Sequence, residues 1–160
     1  MAHVAIEYMI MIPVLIAQII LFPLAANAFM NTWVNARRTG ELQNSAIVLG
    51  SVMQQMYLSL NRAVTPSGSA SYFPNLPPFI ENQFYTGNAV LQTMAGGGPS
   101  SSQVLKITLL INAVNVSTST SVVLGNNAVW YNSTFMSNSN NAIVSAEKFP
   151  NGTIALWFGE

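Results

Sequence analysis

Cysteine and aspartate are both absent from the 160 residues, and histidine occurs once, at His3. Without cysteine there is no disulfide framework, thiolate metal site or thiol nucleophile. Without aspartate, a catalytic triad would have to draw on glutamate and that single histidine, and no second histidine can complete a metal site. Charge is scarce as well: 6% of residues are charged and the formal net charge is zero. That excludes the basic footprint of a nucleic-acid-binding surface and a basic membrane-surface patch. The polar part of the chain must stay soluble through Ser, Thr, Asn and Gln.

What carboxylates remain do not compose an active site. Glu81, Glu147 and Glu160 could form a glycosidase-like pair only if folding gathered them, and Glu147 stands beside Lys148. Gly96-Gly97-Gly98 lacks the lysine of a phosphate loop and reads as a linker. Trp130, Tyr131, Trp157 and Phe158 are read as core or interface packing rather than a sugar platform. The residues point away from an enzyme, and no catalytic residue, metal or cofactor is expected.

Apolar residues make up 51% of the chain and are unevenly spread. From Tyr8 to Ala36 no charged residue occurs, and about 20 apolar residues suffice to span a bilayer as a helix. No basic region precedes this run, which is also longer than the apolar core of a signal peptide. After Arg37 and Arg38 the residues Leu42, Ala46, Leu49, Met53, Met56 and Leu60 recur at helical spacing as one stripe. One helix is expected from about residue 3 to 62, bent but unbroken at Pro13 and Pro23. Its stripe is expected to pack on identical helices, with Gly40 and Gly50 allowing close approach.

Residues 65–82 carry Pro66, Pro74, Pro77 and Pro78 and read as a connector with little regular structure. Beyond them the period falls to two. Over Val104–Val116, Leu105, Ile107, Leu109, Ile111 and Ala113 share one face of an expected long strand. Gly125-Asn126-Asn127 and Pro150-Asn151-Gly152 signal hairpins joining 121–124 to 128–135 and 143–149 to 153–158. The fold class is therefore α+β: a long N-terminal helix (1–62), a connector (63–83), and a small antiparallel β-rich, sandwich-like head (84–160).

Glu7 is the most informative residue. A carboxylate inside a spanning helix costs roughly 2.5–3.5 kcal/mol, so it calls for a partner. The segment Ala5-Ile6-Glu7-Tyr8-Met9-Ile10-Met11-Ile12-Pro13 resembles the N-terminus of type IV pilins, particularly archaeal ones and tight-adherence-type pseudopilins. Those share a lone Glu near the start of an apolar helix, and the pseudopilins often place Pro six positions later. The resemblance covers roughly residues 1–60. It implies a class III signal peptide and a Glu that aids docking into a growing fibre. It also implies a partner set made of copies of the chain in a helical filament, with membrane and assembly machinery before that. Glu7 is seventh counted from Met1 and fifth counted from His3.

Orientation gives a separate argument. Arg37 and Arg38 follow the apolar run, so the positive-inside rule alone would hold the head in the cytoplasm. Yet Asn115-Val116-Ser117, Asn132-Ser133-Thr134 and Asn151-Gly152-Thr153 are glycosylation sequons, which matter only outside. Asn151 is expected in a turn, Asn132 within a strand and Asn115 near the end of the long strand. A basic leader ahead of Met1 reconciles the two signals. The expected role is the structural subunit of an extracellular pilus-like filament serving adhesion or surface attachment. The alternatives are a monomeric, membrane-anchored module binding glycans or another surface ligand, and a minor pseudopilin.

Overall fold

In the computed structural model the charge-free run and the stripe after it form one helix, α1 (Ala2–Leu60), continuous through Pro13 and Pro23. The structure describes residues 2–94, 102–140 and 142–159, and for residues 2–8 the backbone alone. The chain divides into two compact units, Met1–Arg37 and Arg38–Glu160. The first contains helix only. The second contains the rest of α1 and every strand, so the division falls inside the helix rather than in the proline-rich connector.

Among the described residues eight strands follow: β1 (Gly68–Tyr72), β2 (Thr86–Thr93), β3 (Gln103–Ile111), β4 (Val116–Leu124), β5 (Ala128–Trp130), β6 (Thr134–Met136), β7 (Val144–Lys148) and β8 (Ile154–Phe158). They form two four-stranded sheets, ordered β1-β7-β8-β5 and β4-β3-β2-β6. All pairings are antiparallel except β5 with β8. The architecture is α+β, a long N-terminal helix followed by a β-rich head.

The stripe read from the sequence is the buried face of α1. Leu42, Ala46, Leu49 and Met53 have no exposed surface, and Met56 and Leu60 are buried. What covers it corrects the expectation of identical helices. These side chains belong to the same apolar cluster as Leu105, Ile107, Leu109 and Ile111 of β3 and Val122 and Leu124 of β4. The spacing of a stripe specifies a face but not its partner, and here the head's own sheet supplies one. Gly50 makes the fit possible. A methyl placed there would stand 2.9 Å from Val122 Cγ2 and 3.2 Å from Thr120 Cγ2, so its missing side chain admits the sheet. Gly40, by contrast, faces open space. Gln43 and Thr118 hydrogen-bond at the same junction.

The alternation of β3 holds from Leu105 to Ile111, but the strand stops there. Asn112–Val114 form a 3-10 turn closed by Asn115 in the left-handed region (φ 53°), and the chain returns as β4. Ala113 is therefore exposed in a turn rather than on a buried face. The hairpin expected around Gly125-Asn126-Asn127 is not formed. After β4 the chain changes sheets, β5 joins β8, and β6 pairs with β2. The hairpin of β7 and β8 forms as expected, with Gly152 at φ 84° in its turn. The connector holds β1, an edge strand paired with β7, in the stretch free of proline between Pro66 and Pro74. Lys148 Nζ ties the end of the helical segment to that sheet by donating to the carbonyls of Arg62 (2.9 Å) and Thr65 (2.8 Å).

Candidate assembly surface and the sequon turns

The first unit presents its apolar side chains on every side. Met9 is 78% exposed, Phe22 77% and Phe29 76%, and the intervening isoleucines and leucines are exposed too. With 3.6 residues per turn, consecutive exposed apolar positions leave no polar face. The helix is long and apolar enough to cross a membrane. Pro13 and Pro23 lack an N–H, so the carbonyls of Met9 and Ile19 have no donor four residues on. A concavity of about 630 Å³ lies around the second of these points, lined by Leu15, Gln18, Ile19, Phe22 and Pro23 among others. Thr32, further along, hides its hydroxyl by donating to the Ala28 carbonyl at 2.9 Å. Glu7 lies in the helix backbone, and its side chain, like that of His3, is outside the described residues.

The sequon asparagines are all exposed, and all three lie outside strands. Asn115 closes the 3-10 turn between β3 and β4. Asn132 lies between β5 and β6, not within a strand as expected, because the chain is crossing between sheets there. Asn151 sits in the β7–β8 turn, where its Oδ1 accepts from the Thr153 N–H at 3.0 Å. Backbone amides that turn away from a ladder leave these side chains open to solvent.

The remaining candidates separate. Glu81 occupies a turn at φ 48°, Glu147 lies on β7, and Glu160 and Gly96–Gly98 fall outside the described residues. Among the described residues no group of three or more His, Cys, Asp or Glu could hold a metal. Trp130 and Phe158 pack edge to face at 5.0 Å, and Phe135 meets Phe158 at 5.6 Å, joining the two sheets. Tyr131 and Trp157 lie 5.9 Å apart, with Tyr131 half exposed.

Two tyrosines act as buried pins that the sequence did not single out. Tyr57 Oη donates to Asn127 Oδ1 at 2.6 Å, and Asn127 Nδ2 donates to Asn61 Oδ1 and to the Gly152 carbonyl. Tyr85 Oη donates to the Pro77 carbonyl at 2.9 Å. Burial raises both phenols above their ordinary value of 10.0. The connector also carries the exposed Phe73 and Phe79, which line a cleft on the head and have no local signal in the sequence. The chain matches no protein-family model, no curated protein and no solved structure.

Proposed function

We propose that this chain is the structural subunit of an extracellular type IV pilus-like filament used in adhesion or surface attachment, held in the membrane before assembly. One observation carries the reading: a helical segment apolar on all sides, from Met9 to Trp33, with a lone carboxylate at its start. A bilayer can cover such a surface, but it does not answer Glu7, nor the two carbonyls freed by proline. Packing against copies of the same helix answers both. A neighbour's N-terminal amine can neutralise Glu7, and amides such as Gln18 can reach a freed carbonyl. Contacts of one subunit type that do not close generate a fibre.

The second reading, a monomeric surface protein tethered by the same helix, is favoured by a specific observation. The stripe from Leu42 to Leu60 is covered by the chain's own head, so it asks for no further partner. The filament reading therefore rests on residues before Arg38. Replacement of Glu7 by alanine separates the two. In a filament subunit, Glu7→Ala reduces sheared surface fibres, counted by electron microscopy, at least about tenfold, while the chain still fractionates with membranes. Unchanged fibres, or none in the wild type, would overturn the filament reading.

The exposed positions of Asn115, Asn132 and Asn151, all outside strands, support a sugar coat on the head. Such a coat supplies the hydration that so few charges cannot. Intact-mass measurement is expected to give a subunit heavier than the bare 17.3 kDa chain, and a mass equal to it rules the coat out.

A further inference from the structure

A cleft of about 450 Å³ opens on the head between the proline-rich connector and the segment after β6. This lies within the range of about 300–1,000 Å³ typical of small-molecule sites. Phe73 and Phe79 stand at it 58% and 52% exposed. Exposed amides of Asn75, Asn138 and Asn140 line it as well, and among the described residues no charged side chain does.

The walls are fixed before any ligand arrives. Ser137 Oγ donates to the Pro78 carbonyl (2.8 Å) and accepts from the Tyr85 N–H (3.0 Å), while Tyr85 Oη holds the Pro77 carbonyl. Pro74 is buried, and Pro77 and Pro78 have fixed φ. Beyond Phe79 the chain reverses at once. Ile80 and Gln83 exchange both backbone hydrogen bonds (2.8 and 2.9 Å), with Glu81 and Asn82 both at positive φ. Two side chains other than glycine in that conformation are an uncommon device, one that reverses the chain immediately beyond Phe79.

We infer that this cleft binds a neutral saccharide, the rings of Phe73 and Phe79 covering its apolar C–H face and the amides of Asn138 and Asn140 its hydroxyls. An aromatic face offers the negative side of its quadrupole to C–H groups. An amide supplies a donor and an acceptor together, which matches a hydroxyl, itself both. The absence of charge in the lining disfavours acidic sugars and phosphates. Rigid walls lower the ordering cost of binding. The inference needs one head only, and it stands whether the chain acts as a filament subunit or as a tethered monomer.

The test uses the full chain in a zwitterionic detergent without a sugar headgroup. The probes are mannotriose, cellotriose and N-acetylchitotriose, with sialyllactose and a proline-rich peptide as competing classes. Ligand-observed saturation-transfer NMR is expected to show at least one neutral trisaccharide binding in the millimolar range or better. Phe73→Ala and Phe79→Ala should each weaken it about tenfold, and Phe79→Tyr should retain it. All these side chains are exposed, so the thermal midpoint should stay that of the parent, which separates lost binding from lost fold. No signal from any neutral probe, binding insensitive to both alanine variants, or preference for sialyllactose or the peptide would each overturn the proposal.

Discussion

A chain begun at Arg38 is expected to leave the membrane fraction completely and to fold as a soluble monomer. Among the described residues the apolar cluster that holds the head begins at Leu42, inside the second unit. The cut also gives the shortened helix a serviceable start. Glu41 lies in its first turn, where a carboxylate suits the helix dipole. What is lost is the segment whose exposed isoleucines, leucines and phenylalanines have no cover within the chain. Flotation and sedimentation velocity read the first effect, and near-ultraviolet circular dichroism with thermal melting reads the second. A head that precipitates, or melts without a cooperative transition, would show that residues before Arg38 are needed for folding.

Gly125→Val should be the most damaging single substitution in the head among those at its loops. A side-chain carbon at Gly125 would be forced onto the Tyr57 hydroxyl and crowd Asn127 Oδ1. The Tyr57–Asn127 bond would break, leaving a buried phenol to lose its partner, at about 1–3 kcal/mol. Overpacking adds about 1–3 kcal/mol more. For a domain of this size, each kcal/mol lowers the midpoint by roughly 4 °C, so a fall of about 10 °C or more is expected. Tyr57→Phe leaves the space intact and removes one hydrogen bond, so it should cost about 1 kcal/mol. Equal midpoints for the two variants would contradict the account of this turn.

That turn also explains what could be read from the residues and what could not. The helix, its buried stripe, the alternation of β3 and the β7–β8 hairpin were all legible, since each is written in local spacing. Gly125-Asn126-Asn127 has the composition of a hairpin, but its role is set by Tyr57, which lies 70 residues from Asn127. No local pattern carries that. β2 has no local strand signal at its start, where Gly87 and Asn88 are poor strand residues. Gly87 is there because a side-chain carbon would stand 2.6 Å from Leu109 Cδ2, a demand made by the neighbouring strand. The covering of the stripe was misjudged for the same reason. At the candidate sites, Glu7 was conspicuous because charge is so rare. The cleft has no local signal because its walls come from 73–79 on one side and 135–140 with Ala142 on the other, which only folding brings together.

The last strand has a consequence for how the molecule is made. β8 lies inside its sheet, between β7 and β5, and its Ile154, Ala155 and Leu156 are fully or almost fully buried. Until it emerges, β5 has no partner in its sheet, β7 lacks one of its two, and the face of α1 from Leu42 to Leu60 shares an incomplete core. No disulfide can hold a partial structure meanwhile. The head therefore closes only once β8 is in place between β7 and β5. A chain stopped before Ile154 is expected to expose bare edges on β5 and β7 and an open core, and so to be cut by proteases far faster than the parent in limited proteolysis.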